Sequence, residues 1–512
     1  MSRFWIVLPA TALLLGISIL VRGLNHDEGQ YVGAIALMRH GWPYVDFAYL
    51  QTPLQPLVLS PLAFIPAGWL LLVARIANAL FALGTIWLLG NALEGRAKPE
   101  NILVALTALV CTEPFLWGAS LARNDALPML LLAGAVAALL RSLEEPKRII
   151  NLSIGGLLLG LAISTKISAA VPAAGALLFV LLRTPKFGVA ALLAFCVSAI
   201  VGLMPSILLA LTSPAQFRFD VFEYSLQAPA QWWSSVGRAN MLEFPNRIAR
   251  LLGFASEGVI LIGLLAAALD RRRSDDCLLL ELMVIGGAIG SYMPEPAYPQ
   301  YLIPVLPVLV PRFALALDNL GYRWRRPMIA LTMVSCALGL QYSVHLAIRA
   351  WEHGSSLVAA VTQARRAARI AAGRSVITLS PEVIAGGDTN LDRRFATGPF
   401  LYRTFGPLSA DALRFGYSPN WQRIARDLDS RPPGLILIGG EAQPHPHHPD
   451  GLDGALVRWA KTRGYKAVPL GKQGFILFVQ GRILTDGHSL FLPFVERPNV
   501  RNGSKAVTRS SG

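Results

Sequence analysis

Long apolar stretches alternate with short polar segments over the first two thirds of the chain. A helix needs about 20 apolar residues to cross the hydrocarbon core of a membrane. The fold class predicted is therefore a polytopic α-helical membrane protein. Its eleven predicted spans lie at about residues 4–22, 69–90, 101–118, 126–141, 149–165, 169–183, 187–211, 249–269, 277–293, 300–317 and 327–348.

The first apolar run and the proline-rich run at 53–67 need separate treatment. The first run ends in Arg22-Gly23-Leu24-Asn25 without a small-residue cleavage pattern, so we interpret it as a retained helix rather than a signal peptide. Residues 53–67 hold four prolines, and proline breaks helices. We therefore predict a juxtamembrane or re-entrant segment there and leave it out of the spans.

The carboxyl-terminal third has a different pattern, with short apolar runs between helical ones. Strand-like and helical patterns that alternate in this way predict a small α/β domain. The strands are expected at 375–379, 435–438 and 475–479, and the helices at 421–428 and 452–462. The predicted organisation is a transmembrane module at 1–348 with an outer loop at 23–68, an α/β domain at 349–498 and a disordered tail at 499–512.

Composition supports the membrane class. Charged residues make up 15% of the chain, against about 25% in soluble proteins. The net charge of +15 suggests a nucleic-acid partner, but much of the excess lies in short loops such as Arg271-Arg272-Arg273. Basic loops of this kind are typical of the cytoplasmic side. We therefore expect no nucleic-acid partner and a multi-pass protein of the bacterial inner membrane, with a cytoplasmic amino terminus and a periplasmic carboxyl-terminal domain.

This topology brings most polar segments to the outer face, and metal-ligating patterns there are weak. The four cysteines lie in or beside apolar runs, so no disulfide or cysteine metal site is predicted. Prolines separate the histidines of segment 445–450, which favours an exposed loop over a metal site. We predict no metal ligands, although the sequence leaves a divalent metal requirement open.

Two adjacent carboxylates follow the first span. Tyr31, Ile35 and Met38 recur at helical spacing after them, so Asp27 is expected to open a short helix. Asp27 with Gln30 fits a capping box. Alternatively, one carboxylate is a general base whose pKa is raised at a partly dry interface. The two interpretations are compatible.

Further charged and aromatic residues lie near the same face, at 123–125, 166 and 298–301. A charge at a membrane interface is costly and usually functional. A salt bridge with Asp125 is the alternative for Arg123, and snorkelling to the interface is the alternative for Lys166. Tyr298 and Tyr301 could equally be interface anchors.

The order of these motifs resembles the GT-C superfamily of polyprenyl-phosphate-sugar-dependent glycosyltransferases, which includes protein O-mannosyltransferases and the lipid A aminoarabinose transferase. The resemblance covers roughly residues 1–320. The matching motifs are, in chain order, Asp27-Glu28, 41–47, Pro53-Leu54, 123–125, 160–166 and 301–307.

The resemblance implies a sugar donor on a polyprenyl phosphate and an acceptor hydroxyl on a glycan, lipid or protein. It makes Asp27, beside Glu28, the base of an inverting reaction at the outer face. No cofactor is implied, since the lipid-linked sugar is a substrate; membrane lipids are the other expected partners. The leaving phosphate is expected to contact Arg123, Lys166, Tyr298 and Tyr301. The expected substrate contacts are Tyr31, Tyr44, Asp46, Gln51 and Asp125.

One departure from the family pattern leaves the substrate open. The aminoarabinose transferase has Glu-Lys-Pro-Pro-Leu where this chain has Gln51-Thr52-Pro53-Leu54, so an acid and a phosphate-pairing lysine are missing. Asp46 is the candidate replacement for that acid. A transporter or flippase of lipid-linked glycans and a non-catalytic assembly protein remain alternatives. A transporter should show repeats and polar residues near the membrane midplane. Polar residues cluster at one face here, which favours an enzyme.

Overall fold

The computed structural model is mainly helical up to residue 371. The residues that it describes are 6–144, 147–371, 373–403, 421–444, 450–471 and 474–480. The helices of this part are α1 (Val7–Val21), α2 (Asp27–Leu37), α3 (Leu54–Val58), α4 (Trp69–Leu93), α5 (Pro99–Val110), α6 (Glu113–Ser120), α7 (Ala126–Arg141), α8 (Arg148–Thr165), α9 (Ala170–Leu182), α10 (Thr184–Phe187), α11 (Val189–Thr212), α12 (Pro214–Arg218), α13 (Tyr224–Ser235), α14 (Phe244–Ala255), α15 (Val259–Leu269), α16 (Asp275–Tyr292), α17 (Leu306–Asn319), α18 (Tyr322–His353) and α19 (Ser356–Ala371).

A helix or a bent helix pair occupies each of the eleven predicted spans. Within the described residues, five helical stretches are long and apolar enough to cross a membrane: α4, α8, α11, Pro299–Asn319 and α18. The number rises to seven if the bent pairs α5–α6 and α14–α15 each count as one span. The chain is thus a polytopic helical protein, whereas eleven crossings are not confirmed. The proline-rich run forms α3 and a 3-10 helix, Ser60–Phe64, each five residues long.

Glycines allow the membrane helices to pack closely. In lipid there is no hydrophobic force between helices, so small residues that permit close backbone contact stabilise the interface. A Cβ atom on Gly160 of α8 would lie 2.1 Å from the Ala199 carbonyl oxygen of α11. A Cβ atom on Gly202 of α11 would lie 2.2 Å from the Leu157 carbonyl oxygen. The backbones of α8 and α11 are therefore in direct contact.

A buried helix passes through the middle of the bundle. The stretch Pro299–Asn319 begins with a 3-10 turn and continues as α17, and 94% of its most apolar 18-residue window is buried. The middle of α17 carries Arg312, which is fully buried and pairs with Asp270 at 2.8 Å and with Glu281 at 2.8 Å. The start of the stretch carries Tyr298 and Tyr301, so this helix places the two tyrosines among the outer segments.

The carboxyl-terminal part forms one mixed sheet. Its strands are β1 (Ser375–Thr378), β2 (Asn390–Leu391), β3 (Leu435–Ile438), β4 (Lys466–Pro469) and β5 (Ile476–Val479), in the order β2-β1-β3-β5-β4. The β1 strand pairs in parallel with β2 and β3, while β5 pairs antiparallel with β3 and β4. The helices here are α20 (Pro381–Ile384), α21 (Trp421–Ser430) and α22 (Asp453–Thr462).

The sheet packs directly on the outer segment that follows α2. The Gly387 amide donates to the Ile65 carbonyl at 2.7 Å, and the Ala67 amide donates to the Asp388 carboxylate at 2.7 Å. That residues 349–498 form a separate periplasmic domain stays a prediction. The predicted tail at 499–512 lies outside the described residues.

The segment 212–248, which lies between the predicted spans at 187–211 and 249–269, is largely helical. It contains α12, a π-helical turn at Phe219–Glu223, α13 and a 3-10 turn at Ala239–Leu242. The pair Trp232-Trp233 therefore lies on a helix rather than on a loop. Amphipathic helices of this kind lack the long apolar run by which a span is recognised, which is why the sequence pattern did not separate them from a loop.

Candidate active site

The amino terminus of α2 is capped by residues other than those predicted. The Asn25 side chain accepts the Asp27 amide at 2.9 Å, and the Glu28 carboxylate accepts the Asn25 amide at 3.1 Å. The predicted capping box of Asp27 with Gln30 is therefore wrong, because the reciprocal bonds join Asn25 and Glu28. The Asp27 carboxylate remains available for other contacts.

Glu28 is enclosed in a buried ion pair. Arg75 of α4 donates to both of its carboxylate oxygens, at 2.8 and 2.6 Å, and both side chains are fully buried. The Ala122 amide donates to the same carboxylate at 2.6 Å. Arg75 also donates to three carbonyl oxygens at the end of α1, those of Ile19, Arg22 and Gly23. The pair thus ties together the end of α1, the start of α2 and the segment after α6.

A chain of four charged side chains runs from Asp27 into the protein. Arg123 donates to the Asp27 carboxylate and, at 2.9 Å, to the Asp125 carboxylate. Lys166 pairs with the other oxygen of Asp125, so it does not snorkel to the interface as the alternative proposed. His26 approaches Asp27 from the opposite side at 3.1 Å. The Asp27 side chain is 22% exposed, against 4% for Arg123 and 0% for Asp125.

Amide side chains hold the segment that carries Arg123. Gln55 donates to the Arg123 carbonyl at 2.8 Å, and Asn78 donates to the same carbonyl at 2.6 Å. Asn124 donates to the Gln51 side chain at 3.2 Å, which places Gln51 beside this segment. Sequence reasoning missed Gln55, Arg75 and Asn78. The signal for the last two was available, since both are polar residues one turn apart within an apolar span.

The four charges set the protonation of the two aspartates. Burial alone would raise the pKa of Asp27, but the opposing charges of Arg123 and His26 hold it well below its usual range. Burial is likewise outweighed at Asp125, whose pKa is lowered by Lys166 and Arg123. The raised pKa expected for a base at this position is therefore not found. Both groups are carboxylates at neutral pH, and the two cations balance them.

Aromatic residues lie near Asp27, whose charge acts on both Tyr298 and Tyr301. The rings of Tyr298 and Tyr301 meet edge to face at 6.0 Å, and Arg250 lies 6.0 Å from the Tyr298 ring centre. Burial, followed by the charge of Asp27, raises the pKa of Tyr298 to about 12. The hydroxyl therefore keeps its proton and can donate. Tyr31 is buried and packs edge-on against Tyr49 at 6.3 Å, and burial raises its pKa too.

Tyr44 and Asp46 form hydrogen bonds within their own segment of the chain. The Tyr44 hydroxyl donates to the Gln51 carbonyl, and Tyr44 is fully buried with a left-handed backbone at φ 65°. The Asp46 carboxylate accepts the Trp42 amide at 2.8 Å. Both side chains shape the segment from Trp42 to Gln51, whereas Gln51 and Asp125 join the Arg123 cluster. Because the Asp46 carboxylate is engaged within its own turn, the structure argues against Asp46 as the replacement for the missing acid.

The carboxyl-terminal part also reaches the site, which no sequence signal indicated. The Phe400 ring lies 5.9 Å from the His26 ring, and its carbonyl accepts the Tyr224 hydroxyl at 2.8 Å. Arg403 lies over the rings of Trp232 and Phe400 and pairs with Glu441 at 3.0 Å. In the described residues, no cluster of three His, Cys, Asp or Glu side chains could hold a metal. The histidines of 445–449 lie outside those residues.

Comparisons with known proteins bear on the family and the fold of the chain. Residues 49–293 match the model of Glycosyltransferase family 87. The crystal structure of ArnT from Cupriavidus metallidurans in the apo state is 16% identical, over 93% of this chain and 97% of that chain, with a TM-score of 0.58. The same ArnT bound to undecaprenyl phosphate gives 16% identity, 93% and 98% coverage and a TM-score of 0.59. No curated protein sequence matches the chain. At this identity the likeness to ArnT establishes the fold alone.

Proposed function

We propose, on the premise that this chain is a membrane glycosyltransferase of the GT-C type, that it transfers a sugar from a polyprenyl phosphate to an acceptor hydroxyl at the periplasmic face. The acceptor belongs to a glycan, a lipid or a protein, and the anomeric carbon is inverted. Binding of undecaprenyl phosphate by ArnT, which shares the fold, supports a polyprenyl donor. Because the family match is to a glycosyltransferase, we do not retain the transporter and assembly-protein alternatives.

The observation that carries the proposal is the difference between the two adjacent carboxylates. Asp27 is 22% exposed and lies beside a cation, while Glu28 is fully buried and paired with Arg75. A general base must reach the proton that it accepts. We therefore assign the base to Asp27 and a positioning role to Glu28.

Arg123 supplies a way to switch the basicity of Asp27. The charge of Arg123 holds the pKa of Asp27 low in the structure, so the carboxylate is a weak base there. A phosphate pairs well with an arginine, because two parallel hydrogen bonds form. A donor phosphate that draws Arg123 towards itself would weaken the pair with Asp27. The remaining effect of burial then raises the pKa of Asp27, and the carboxylate becomes a stronger base when the donor is bound.

In the transfer step, the acceptor oxygen attacks the anomeric carbon from the side opposite the phosphate. A carbon–oxygen bond forms to the acceptor, and the bond between the anomeric carbon and the phosphate oxygen breaks. Asp27 takes the hydroxyl proton, and the polyprenyl phosphate leaves with the electron pair of the broken bond. No cofactor takes part in this scheme, since the lipid-linked sugar is itself a substrate.

Besides Arg123, the leaving phosphate needs a cation that no carboxylate already neutralises. Arg123 and Lys166 face Asp27 and Asp125, so their charges are balanced. In the described part of the chain, no carboxylate contacts Arg250; it donates to the Ala297 carbonyl and lies over the Tyr298 ring. We assign the phosphate to Arg250, Tyr298 and Arg123, with Tyr301 packed behind. Lys166 then positions Asp125 rather than contacting the donor.

The Asp27→Asn variant tests the proposal. Membranes that contain it are supplied with radiolabelled glucosyl-, mannosyl- and arabinosyl-polyprenyl phosphates, and label is counted in the lipid, glycan and protein fractions. Loss of a general base lowers the rate by about 10²–10⁴-fold. Asp46→Asn is the matched control, because within the described residues that carboxylate accepts an amide of its own turn and no other hydrogen bond, and the variant should retain transfer. Transfer by Asp27→Asn at the wild-type rate would refute the assignment.

A further inference from the structure

Glu382 of α20 lies against the helix that begins at Asp27. Its side chain is buried, with 4% of the residue exposed, and within the described residues its Oε2 atom has no hydrogen-bond partner. A Cβ atom on Gly29 of α2 would lie 2.7 Å from that oxygen and 3.1 Å from Pro381 Cδ. The carboxyl group therefore packs on the bare backbone of α2, one residue after Glu28.

Three carboxylates surround Glu382, and each has its own partner. Glu28 on α2 pairs with Arg75, and Glu441 on the sheet side pairs with Arg403. Asp453, also on the sheet side, accepts the amides of Gly439 and Glu441 at 2.8 and 3.0 Å. All three charges disfavour a negative charge on Glu382. No ion pair joins Glu382 itself in the described part of the chain.

Helix α19, which also packs on α20, offers no buried cation. The positions on its buried face include Ala360, Gln363 and Ala364. Its arginines lie at a half-buried position, 365, and at two exposed positions, 366 and 369. Burial of a carboxylate without a partner is far more costly than burial of the neutral acid. Burial first, and then the neighbouring carboxylates, raise the pKa of Glu382 well above its usual range, which favours the protonated form of the group.

We propose that Glu382 is a proton-dependent positioning residue: its neutral carboxyl lets α20 of the sheet pack on α2, and its ionised form separates the two. Because α2 carries Asp27, the sheet would then control how rigidly the base is held. This consequence for transfer rests on the proposed function, while the docking itself does not. The role differs from those of Asp27 and Arg123, since Glu382 acts only through the backbone of α2.

The direction of the pH effect follows from the proton balance. An undocked glutamate has a pKa of about 4.3 and loses its proton above that value. The docked form keeps its proton up to its raised pKa. Docking is therefore fully favoured below about pH 4.3 and weakens as the pH rises towards the raised pKa. For one proton, the docking equilibrium changes up to about tenfold per pH unit in that window.

Hydrogen exchange of the full-length protein in detergent tests the docking. Exchange of the amides at 27–37 is expressed as protection factors, which corrects for the intrinsic pH dependence of amide exchange. In the wild type they should fall between pH 5 and pH 8, by up to about tenfold per unit. In Glu382→Gln they should stay at the wild-type value of pH 5 throughout. A wild type without pH dependence, or a variant that follows the wild type, would overturn the proposal.

Two further variants keep the test decisive. Burial raises the pKa of Asp453 to about 6, so this group titrates in the same window. Asp453→Asn should keep the wild-type pH dependence of protection. Protection that no longer depends on pH in this variant would show that Asp453, and not Glu382, causes the effect. If Glu382→Gln does not accumulate, Gly29→Ala provides the test, because the added Cβ atom would displace Glu382. Its α2 amides should lack protection already at pH 5, and wild-type protection there would contradict the proposal.

The readout also separates this proposal from the assignment of Asp27. Protection of α2 requires no donor, so Asp27→Asn should show the same pH dependence as the wild type. If Asp27→Asn retains transfer while protection still depends on Glu382, the proposed base is wrong and the docking stands. If protection is independent of Glu382 while Asp27→Asn is inactive, only the docking is refuted.

Discussion

At the scale of single residues, the Glu28–Arg75 pair determines how accurately Asp27 can be placed. Glu28 follows Asp27 directly, and its carboxylate is fixed by Arg75 and by the Ala122 amide. Ala122 in turn precedes Arg123, the partner of Asp27. Asp27, the proposed base, and Arg123 are thus held through the same buried pair, and neither Glu28 nor Arg75 is exposed at the surface.

Glu28→Gln should therefore lower kcat and leave the KM of the donor nearly unchanged. A displacement of about 1 Å can cost about 100-fold in rate. Removal of one partner of a buried ion pair also costs about 3–5 kcal/mol of stability. Steady-state kinetics and thermal unfolding of the purified variant measure both effects.

Arg312→Met is the matched control for this prediction. Arg312 is equally buried and pairs with Asp270, but it lies within α17, 11 residues after Tyr301. It should lose stability without a change in the kcat of the folded fraction. A Glu28→Gln enzyme that is less stable yet turns over at the wild-type rate would show that the pair supports the fold and does not position Asp27.

The sequence identified the two acids but not the division of labour between them. Adjacent carboxylates are equivalent in a sequence, and the difference here depends on Arg75, 47 residues away from Glu28. The predicted capping box was wrong for a similar reason. Asn25 and Asp27 are each followed three residues later by a side chain that can complete a capping box, so the spacing alone does not distinguish them. Local spacing predicts that a cap exists, while the tertiary partner decides which carboxylate is left free.

At the scale of elements, the glycine contact between α8 and α11 is linked to the candidate active site. Helix α8 ends at Thr165, and Lys166 follows it directly. The contact of Gly160 with the Ala199 carbonyl fixes the distance between the two helices. A shift of α8 would move Lys166 relative to Asp125, and Asp125 shares Arg123 with Asp27.

Gly160→Val should destabilise the protein and lower transfer. Overpacking of a close contact costs typically about 1–3 kcal/mol. Thermal unfolding in detergent, followed with a thiol-reactive dye, measures the loss of stability, and the donor assay measures the loss of transfer. Gly16→Val is the control, because nothing lies within 4 Å of a Cβ atom there, and it should behave as the wild type. Equal stability of the two variants would show that the helices can separate without cost.

Hydropathy located the long helices well and the sheet only partly. Strands β1, β3 and β5 were predicted because each is a short apolar run. Strand β4 was missed, since it lies at the sheet edge and its residues are mostly exposed. Strand β2 was missed because it has only two residues. Edge strands of this kind carry little of the apolar pattern that identifies a strand.

At the scale of the whole molecule, the loops that were predicted to be cytoplasmic lie together. Arg96 pairs with Asp276 at 2.9 Å, which joins the loops at 94–100 and 270–276. Lys186 pairs with Asp275 at 2.9 Å, and Arg325 reaches Glu100 at 3.3 Å. These contacts place the basic loops on one side of the bundle. The segments that carry Asp27, Arg123 and Tyr298 meet on the other.

Which side faces the cytosol is decided by the charge of these loops. Lys and Arg are retained on the cytoplasmic side during insertion, so we expect the active site on the periplasmic side. A variant without its four cysteines can carry one new cysteine at exposed Trp42 or at exposed Arg273. In spheroplasts, a membrane-impermeant maleimide should label Trp42→Cys, while Arg273→Cys should react only after permeabilisation. Since Trp42 belongs to the same outer segment as Asp27, the reverse result would place the proposed base in the cytosol, away from a periplasmic acceptor.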